Sequence, residues 1–500
     1  MAVPWRWTLV ALLLAVVFAT YPYSDRALFT WRAFVPEPLM ARLHNLSRFV
    51  QLLTLTRSLQ DPARIPTYTE TTGHSKPLLT TPVWWFAPFF SGGGYSSEAV
   101  AFVSALHNLP EVSRGQLWIS QHGDAIDWDA VQGLDADTRA VLRSLAQNHQ
   151  PWQPGKRIVV CHSEPGAWAL PKPLYETSLC PPPSTPDQQT YTIARTMFET
   201  DRLSAEHVRR CNAMDEVWVP TAFHKQVFAS SGVAESKLVV VPEPVETAFF
   251  DPGKHTPLSL PLGRRVFGWE RDTRQPAPFV FLSVFKWERR KGWDVLLQAY
   301  LQAFTASDNV ELLLLTKPFH GKRNFAQQML RWAANLTTSD LDQAQTGIYT
   351  DQSALPRVYV ISEHISSQDL PRLYRSADAF VLPSRGEGWG RPHVEAMSMG
   401  LPVIATNWSG PTAFLDREVG YPLKIGGLER ITEPGAFYGH QWASPSVQHL
   451  THLLRHVRQN ADEARNKGVA ARQRMVARYA PAIVARQVVK ELVRVQKQMQ

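Results

Sequence analysis

The most informative feature of the chain is a regular alternation of short apolar runs with longer amphipathic stretches, which begins at Pro82. Several runs are apolar throughout, which is typical of strands covered on both faces of a sheet. Amphipathic stretches between such strands indicate helices, so the alternation predicts parallel βαβ units. The predicted strands are Val83–Phe86, Gln116–Ser120, Arg157–Cys161, Glu216–Val219, Phe279–Val284, Val310–Leu315, Val358–Ile361, Ala379–Leu382 and Pro402–Ala405.

One sheet holding all these strands would be unusually wide, so we predict an α/β protein with two Rossmann-like domains. The predicted N-terminal domain spans residues 79–250 and the predicted C-terminal domain 277–460. The turn-rich stretch 251–276, which follows the prolines of 241–245, is the predicted linker. Residues 461–500 are predicted to form a basic helical segment. Ligands of such folds bind at the C-terminal ends of strands, so motifs directly after an apolar run carry the most weight.

The N-terminus has the composition of a membrane-targeting segment. Arg6 precedes an uncharged stretch, Trp7–Tyr23, whose length lies at the lower limit for a membrane span. A cleavable signal is the alternative, because small residues near its end suit a cleavage site. We predict a signal anchor over residues 1–23 and a stem over 24–78.

The anchor leads to an expectation about location. We expect a type II protein of the Golgi or endoplasmic reticulum membrane with a lumenal catalytic body; a secreted or a cytosol-facing protein is the alternative. The sequons at Asn45 and Asn335 favour the lumen. The arginines that follow the segment oppose it, by the positive-inside tendency. Cys161 and Cys180 flank a proline-rich loop and could pair in an oxidising compartment.

The net charge of +8 is confined to the end of the chain. Residues 451–500 hold 11 basic and 3 acidic side chains, and the rest of the chain holds 41 of each sign. The basic residues are spaced through helical sequence without interleaved aromatics. This spacing is typical of a solvated helix face and argues against nucleic-acid binding. An anionic membrane surface is the more favoured partner of a basic helix.

The strongest motif is AFVLPSRGEGWGRPHVEAMSMGLPVIATNWSGP, residues 379–411. It predicts a strand, a glycine-rich loop with Gly386, Gly388 and Gly390, and a helix that begins near Pro392. Glycines let the backbone approach a ligand closely, and a helix start presents unpaired N–H groups to an anion. A sugar diphosphate fits such a site; a simple tight turn is the alternative.

Glu387 and Glu395 stand on either side of this helix start. Eight helical residues separate them by ~12 Å along the helix axis, which is too far for a glycosidase-type acid/base pair. Binding hydroxyls at the two ends of one elongated ligand suits them better, because carboxylates accept charge-assisted hydrogen bonds. The alternative for each is a solvated helix residue.

A second motif, SVFKWERRKGWD, follows the strand that begins at Phe279 and precedes a helix predicted from Asp294 to Phe304. Lys286 and Lys291 stand at the strand end and in the next loop. At these positions the two ammonium groups can neutralise a diphosphate leaving group. A solvated basic loop is the alternative.

Taken together, PSRGEGWGRPHVEAMSMGLPVIAT, with its Glu-x7-Glu spacing, and SVFKWERRKG closely resemble the retaining glycosyltransferases of the GT-B fold, family four (glycosyl transferases group 1). The pattern covers residues 278–415 well and the preceding domain more loosely. The resemblance implies two Rossmann-like domains that face each other across a cleft. It also implies transfer of a sugar from a nucleoside-diphosphate sugar, most commonly a UDP-sugar, to a glycan, glycoprotein or lipid.

The resemblance assigns roles in the C-terminal domain residue by residue. Catalytic Glu387 would hold hydroxyls of the donor sugar, and Glu395 would bind the ribose hydroxyls. Lys286 and Lys291 would bind the diphosphate; the first is often Arg in the family, and Lys keeps the charge without the bidentate fork. The backbone that faces sugar and phosphate would be that of Gly388, Trp389 and Gly390.

In the N-terminal domain the resemblance is looser. Gly93 and Gly94 lie in a glycine-rich turn where the family places a loop that faces the donor phosphates and the acceptor; a flexible turn is the alternative. His162 resembles the family's cleft histidine, a catalytic group that hydrogen-bonds the transferred sugar, with a structural histidine as the alternative. Glu199 and Arg202 would line the acceptor side.

No cofactor or metal is expected, because lysines and a helix start can stabilise the leaving group. Asp135-Ala-Asp137 and Asp340-Leu-Asp342 have the spacing of a metal motif but lie in polar sequence. A GxGxxG fingerprint is absent, which argues against an NAD-dependent enzyme. An NDP-sugar epimerase, a phosphorylase of related fold and an inactive glycan-binding or scaffold protein are the alternative functions.

Overall fold

The computed structural model describes residues 78–113, 115–147, 154–168, 178–270, 274–317, 325–334 and 355–500. The predicted anchor over 1–23 lies outside these residues, as do both sequons and the predicted stem apart from Leu78. Within the described ranges, no helix is both long enough and apolar enough to cross a membrane.

The N-terminal domain is built on a parallel sheet of six strands in the order β2-β1-β3-β4-β5-β6. The strands are β1 (Val83–Ala87), β2 (Leu117–Gln121), β3 (Gly155–His162), β4 (Gln188–Arg195), β5 (Glu216–Val219) and β6 (Leu238–Val240). Side chains on both faces of β1 are buried: Trp85 packs in one hydrophobic cluster, and its neighbours Trp84 and Phe86 pack in another. The run is therefore apolar throughout because β1 is covered on both faces of the sheet, as its pattern predicted.

Helices occupy most connections of this sheet. They are α1 (Gly94–His107), α2 (Trp128–Gly133), α3 (Ala136–Gln147), α4 (Ala205–Asn212) and α5 (Ala222–Ser231). Between β3 and β4 the chain forms a disulfide that joins Cys161 to Cys180, with the two Cα atoms 5.6 Å apart. This is the pairing that the sequence left open.

The C-terminal domain is built on a sheet of seven strands in the order β13-β12-β11-β8-β9-β10-β7. The strands are β7 (Arg264–Phe267), β8 (Phe279–Lys286), β9 (Val310–Lys317), β10 (Arg357–Ile361), β11 (Ala379–Leu382), β12 (Val403–Thr406) and β13 (Tyr421–Leu423). All neighbours are parallel except β7, which is antiparallel to β10. The α/β class with parallel sheets is confirmed.

The first helices of this domain are α6 (Trp293–Ala303), α7 (Phe325–Ala334), α8 (Leu370–Arg375) and α9 (Arg391–Ser398). The helix α9 has Pro392 in its first turn, as the motif predicted. Gly400, two residues beyond its end, has a positive φ of 74°, a backbone conformation that favours glycine.

The last elements are an antiparallel hairpin, β14 (Ile425–Arg430) and β15 (Gln441–Pro445), and three helices. The helices are α10 (Val447–Gln459), α11 (Ala461–Tyr479) and α12 (Pro481–Gln498). Val484, Val488 and Leu492 of α12 are buried in the core of the N-terminal domain. The end of the chain therefore belongs structurally to the first domain.

Two predicted segments carry more structure than a linker and a basic tail. The segment 251–276 also contributes β7, whose Val266 and Phe267 are buried in the C-terminal core. The segment 461–500 is helical, and α11 and α12 pack on the two domains through buried apolar side chains. Strand β4 escaped prediction because its first half is polar, although it lies between β3 and β5.

Candidate functional site

The site lies where β8 and β11 end beside the N-terminal domain. Lys286 is the last residue of β8, and it pairs in register with Lys317, the last residue of β9. Burial lowers the pKa of Lys286, and the charge of Lys317 lowers it further. Two adjacent lysines therefore place positive charge at the C-terminal strand ends, where such folds bind ligands.

A turn of 3₁₀ helix, Arg289–Lys291, follows β8 and carries three consecutive basic side chains. The turn ends at Gly292, which has a left-handed φ of 67°. A Cβ atom on Gly292 would collide with the carbonyl oxygen of Pro383. The close approach requires glycine and holds the basic turn against the start of the glycine-rich loop.

Lys291 and Glu387 form a buried ion pair at the centre of the site. Nζ of Lys291 donates to Oε1 and Oε2 of Glu387 at 2.7 and 2.8 Å, and Nη1 of Arg290 donates to Oε2 at 3.3 Å. Burial alone would raise the pKa of Glu387, but the charges of Lys291 and Arg290 lower it to about 2. Glu387 is therefore ionised at neutral pH.

Arg290 connects the two domains beside this pair. Its Nη1 donates to the carbonyl oxygen of Gly386 at 2.7 Å and lies 3.7 Å from Oε1 of Glu199 in the N-terminal domain. Burial raises the pKa of Glu199, Arg290 lowers it in part, and the charge of Glu387 raises it again. Glu199 thus lies in the same charge cluster as Glu387, whereas the sequence placed it only on the acceptor side.

The glycine-rich loop is shaped by contact with the N-terminal domain. A Cβ atom on Gly386 would collide with the carbonyl oxygen of Glu199, and one on Gly388 would collide with the side chain of Met197. Gly390, with a φ of 110°, is the N-cap of α9. Gly386 is therefore required because the backbone of Glu199 approaches it, whereas the neighbour of Gly388 is the Met197 side chain.

The backbone of the loop is fixed from the C-terminal side by the turn after β12. The backbone N–H of Glu387 donates to Oγ of Ser409 at 2.9 Å, and that of Gly410 donates to the carbonyl oxygen of Glu387 at 3.0 Å. The Trp389 side chain packs in the domain core against Phe414. Only the backbone of Trp389 is left for the role that the resemblance implies.

Glu395 is held on α9 by partners of its own. Its Oε2 accepts a hydrogen bond from the Tyr374 hydroxyl at 2.9 Å, and its Oε1 lies 4.0 Å from Nε of Arg391. Burial raises the pKa of Glu395, and Arg391 lowers it in part. Arg391 also lies 3.6 Å from the buried carboxylate of Glu243. The carboxylates near Arg391, those of Glu243 and Glu395, are therefore separate from the ion pair of Lys291 and Glu387.

His162 has protein partners on both ring nitrogens, and its contact with a sugar stays a prediction. The ring is fully buried; Nδ1 accepts from the Trp85 indole at 3.1 Å, so Nε2 carries the proton and donates to Oε2 of Glu98 at 3.0 Å. Glu98 is paired on its other oxygen with Arg195. Because both ring nitrogens are bonded within the protein, this geometry favours the structural alternative, in which His162 joins β3 to α1.

The remaining N-terminal residues divide into two groups. Gly93 and Gly94 form the start of α1, and a Cβ atom on Gly94 would meet nothing within 4 Å. Packing therefore does not require glycine at Gly94, and the turn leaves room for a ligand. Arg202 is half-exposed and bonded to Asp201 at 2.6 Å. It belongs to the segment that contacts the C-terminal domain, but it is not part of the charge cluster.

Two arginines of the site, Arg290 and Arg385, were not singled out in the sequence, although both stand in its motifs. Arg385 is buried, donates to both carboxylate oxygens of Asp294 at 2.8 Å, and donates to Glu429 at 2.7 Å. The signal for both was their position directly after apolar strands, but their partners come from distant segments.

The site offers positive charge rather than metal ligands. Among the residues that the structure describes, no group of three or more His, Cys, Asp or Glu side chains is placed to hold a metal ion. Asp135 accepts a hydrogen bond from the Thr138 N–H at 2.8 Å in the first turn of α3; the pair Asp340 and Asp342 lies outside the described residues. Cations at strand ends and a carboxylate beside them suit a ligand that joins a diphosphate to a hydroxyl-rich group.

Comparison with known proteins agrees with this chemistry. Residues 277–426 match the family model of the glycosyl transferases group 1. Mannosylfructose-phosphate synthase of Agrobacterium fabrum is 28% identical over 147 residues, which are 29% of this chain and 28% of that protein. D-inositol 3-phosphate glycosyltransferase of Acidothermus cellulolyticus is 26% identical over 222 residues, 42% of this chain and 44% of that protein. The matches thus span less than half the length of either relative.

A solved structure extends the likeness to both domains. The Anabaena protein HepE, crystallised with UDP, superposes with a TM-score of 0.53 at 13% identity and covers 82% of this chain and 99% of its own. At that identity the likeness shows the fold alone, and the fold is GT-B. The C-terminal domain thus matches the group 1 glycosyltransferases in its motifs and over residues 277–426, and the two domains together have the GT-B fold.

Proposed function

We propose that the protein transfers a sugar from a nucleoside-diphosphate sugar to a glycan, glycoprotein or lipid acceptor, with retention of anomeric configuration. The observation that carries the proposal is the buried pair of Lys291 and Glu387, which joins the basic turn to the glycine-rich loop. The names of the matched relatives, which include a glycosyltransferase, support the reaction class. The UDP bound to the structural neighbour makes UDP-sugars the first donors to test.

In this reaction the bond between the sugar C1 and the diphosphate oxygen breaks, and the acceptor hydroxyl oxygen bonds to C1 from the same face. The hydroxyl proton passes to the departing diphosphate oxygen. Lys286, Arg290 and Lys291 stabilise the charge that develops there, which is the main electrostatic contribution. No metal is required in this scheme, because these cations already meet the diphosphate.

Glu387 orients the donor sugar. Its carboxylate stays ionised through its neighbours, so it accepts hydrogen bonds from sugar hydroxyls strongly. When a diphosphate binds beside Lys291, the ammonium group divides its hydrogen bonds between phosphate and carboxylate. Glu395, which lies on α9, is proposed to accept hydrogen bonds from the ribose hydroxyls.

A thermal-shift screen tests the proposal. The full chain is heated in EDTA with UDP, GDP, ADP and their sugars, because a ligand selective for the folded state raises the melting temperature. We expect one nucleotide to stabilise the wild type, by about 2.7 kcal/mol at a concentration of 100 Kd. Lys291→Ala should abolish the shift, and Lys225→Ala, a surface lysine of the N-terminal domain, should keep it. No shift with any nucleotide would contradict the proposal and favour a glycan-binding scaffold.

Product analysis then separates transfer from epimerisation. A transferase consumes an acceptor and releases the nucleoside diphosphate, whereas an epimerase consumes no acceptor and leaves the donor intact as an isomer. Glu387→Ala should reduce transfer at least about a hundredfold, because it removes a charged partner of the transition state. Undiminished transfer by this variant would contradict the role of Glu387.

We also propose that the protein acts in an oxidising lumen as a type II membrane protein of the Golgi or endoplasmic reticulum. The disulfide between Cys161 and Cys180 supports this location, because such bonds persist mainly in oxidising compartments. Digestion of the expressed full chain with a glycosidase specific for N-linked glycans tests it. A lumenal body gives a mobility shift that Asn335→Gln reduces; a chain without glycans would contradict the lumenal orientation.

A further inference from the structure

The hairpin β14–β15 lies beyond the part of the chain that matches the family. The match ends at residue 426, and the hairpin extends from Ile425 to Pro445 with Glu429 opposite Trp442. No apolar run predicted these strands. The hairpin therefore lies almost entirely outside the matched residues, and its contacts have to be explained from this structure.

One end of the hairpin is bonded to the N-terminal domain. The Asp201 N–H donates to the carbonyl oxygen of Gln441 at 3.0 Å, and the Gln441 N–H donates to Oδ1 of Asp201 at 2.6 Å. Thr200 and His440 share a buried hydrogen bond of 2.9 Å. The rings of Phe198 and Phe437 meet edge to face with their centroids 5.5 Å apart.

The other end is hydrogen-bonded to Arg385, at the start of the glycine-rich loop. The Ala443 N–H donates to the carbonyl oxygen of Arg385 at 2.9 Å, and Oε1 of Glu429 accepts from Nε of Arg385 at 2.7 Å. The same oxygen accepts from the Trp442 indole at 2.7 Å. Gln441 and Ala443 are two residues apart on β15, so their backbone groups point to the same edge of the strand. One strand edge thus contacts both domains.

Arg385 passes these contacts on to the charge cluster. Its N–H donates to the carbonyl oxygen of Arg290 at 2.6 Å, and its Nη1 donates to that of Arg289 at 2.8 Å. Glu387 follows only two residues later. A shift of Arg385 would therefore move both the basic turn and the carboxylate that Lys291 holds.

We propose that the hairpin β14–β15 is a strap that couples the position of the N-terminal segment 198–202 to the donor-binding loop, with Glu429 as its positioning residue. The inference rests on the proposed function only in calling the loop donor-binding. Glu429 touches no reacting group; it acts through Arg385. Its carboxylate completes the partners of a buried guanidinium, and an incompletely paired buried charge has a strong drive to move toward solvent.

The first test removes the charge at the loop end of the strap. Glu429→Gln is compared with Glu433→Gln in the same hairpin. Both carboxylates contact Arg289, at 3.4 and 2.8 Å, and Glu429 also binds Arg385. Binding of UDP is measured by calorimetry on the full chain. We expect Glu429→Gln to weaken UDP binding about tenfold, since hydrogen bonds to charged groups are worth about that factor or more, and Glu433→Gln to leave it unchanged. Equal affinities in all three proteins would overturn the positioning role.

The second test cuts the strap at the domain end and reads the loop without any ligand. Phe437→Ala combined with His440→Ala is examined by hydrogen–deuterium exchange, with α6 as an internal control for folding. A strap predicts faster exchange at residues 385–391, far along the chain from the substitutions. Faster exchange limited to 198–202 and 431–442 would show a local contact only and would overturn the inference.

The two tests keep the inference separate from the proposed function. If the wild type binds no UDP, GDP or ADP, the proposed donor fails, yet exchange at residues 385–391 still decides whether the strap couples the domains. If nucleotide binds but the hairpin variant leaves hydrogen exchange at residues 385–391 unchanged, the proposed function stands and the inference of a strap is overturned.

Discussion

Lys291 donates hydrogen bonds to both carboxylate oxygens of Glu387, at 2.7 and 2.8 Å. The resemblance assigned these residues to two different parts of the donor, phosphate and sugar. In the structure each is the other's partner, within a cluster that also contains Arg290 and Glu199. The pair keeps two buried charges compensated before substrate binds, because an isolated buried charge is costly. It also places phosphate-binding and sugar-binding groups side by side.

The pair predicts a specific dependence of stability on pH. Since the folded-state pKa of Glu387, about 2, lies below its ordinary value of 4.5, ionised Glu387 stabilises the fold above pH 4.5. That stabilisation, at most about 3 kcal/mol from the size of the shift, is lost as the pH falls from 4.5 through 2. Urea unfolding at pH 7, 5 and 3 should show a smaller loss in Glu387→Gln than in the wild type. The exposed Glu363→Gln should follow the wild type; equal slopes in all three would contradict the pairing.

The glycine-rich loop predicts which glycines resist substitution. Alanine at Gly386 would force the loop away from the Glu199 backbone, so we expect a loss of about 1–3 kcal/mol in the free energy of unfolding, together with weaker nucleotide binding. Alanine at Gly388 would displace the Met197 side chain, so we expect a smaller loss. Gly94→Ala, where a Cβ atom meets open space, should keep the stability. Melting temperature and nucleotide affinity are measured on the three variants. A Gly386→Ala protein with wild-type values for both would show that the domains do not meet at this loop.

His162 predicts a structural rather than a catalytic phenotype. Alanine would remove the buried hydrogen-bond partner of the Trp85 indole and of Oε2 of Glu98, so the free energy of unfolding should fall by about 2–3 kcal/mol. Burial lowers the pKa of His162, so the imidazole is neutral at pH 7. Urea unfolding and the KM for donor sugar are measured together. A stable variant with a raised KM would restore the predicted contact with the sugar.

The disulfide predicts a dependence on oxidation. The bond between Cys161 and Cys180 closes a sequence separation of 19 residues, for which loop entropy gives about 3 kcal/mol of stabilisation. Unfolding by urea with and without reductant should differ by about that amount. Cys180→Ala should remove the difference, whereas Cys211→Ala, at the buried free cysteine, should retain it. Alkylation of all three thiols in the chain unfolded without reductant would show that the bond does not form.

The sequence by itself determined the strands whose runs are apolar throughout, such as β1, β8 and β11, because burial on both faces leaves a pattern within four to eight residues. It also indicated the start of α9 at Pro392 and the family, since both depend on residues that are neighbours in the chain. It did not predict β4 and β7, because both begin with polar or charged residues and are stabilised by pairing with neighbouring strands.

Only the tertiary structure decided which charged groups meet. Lys291 and Glu387 are 96 residues apart in sequence, and Thr200 and His440 are 240 apart. No local pattern encodes such contacts, because they depend on how two domains close on each other. For the same reason the burial of His162, the packing of α12 in the first domain and the need for glycine at Gly386 and Gly388 came from the fold. Local residue preferences act over a few residues, whereas burial and charge pairing depend on what the folded chain brings together.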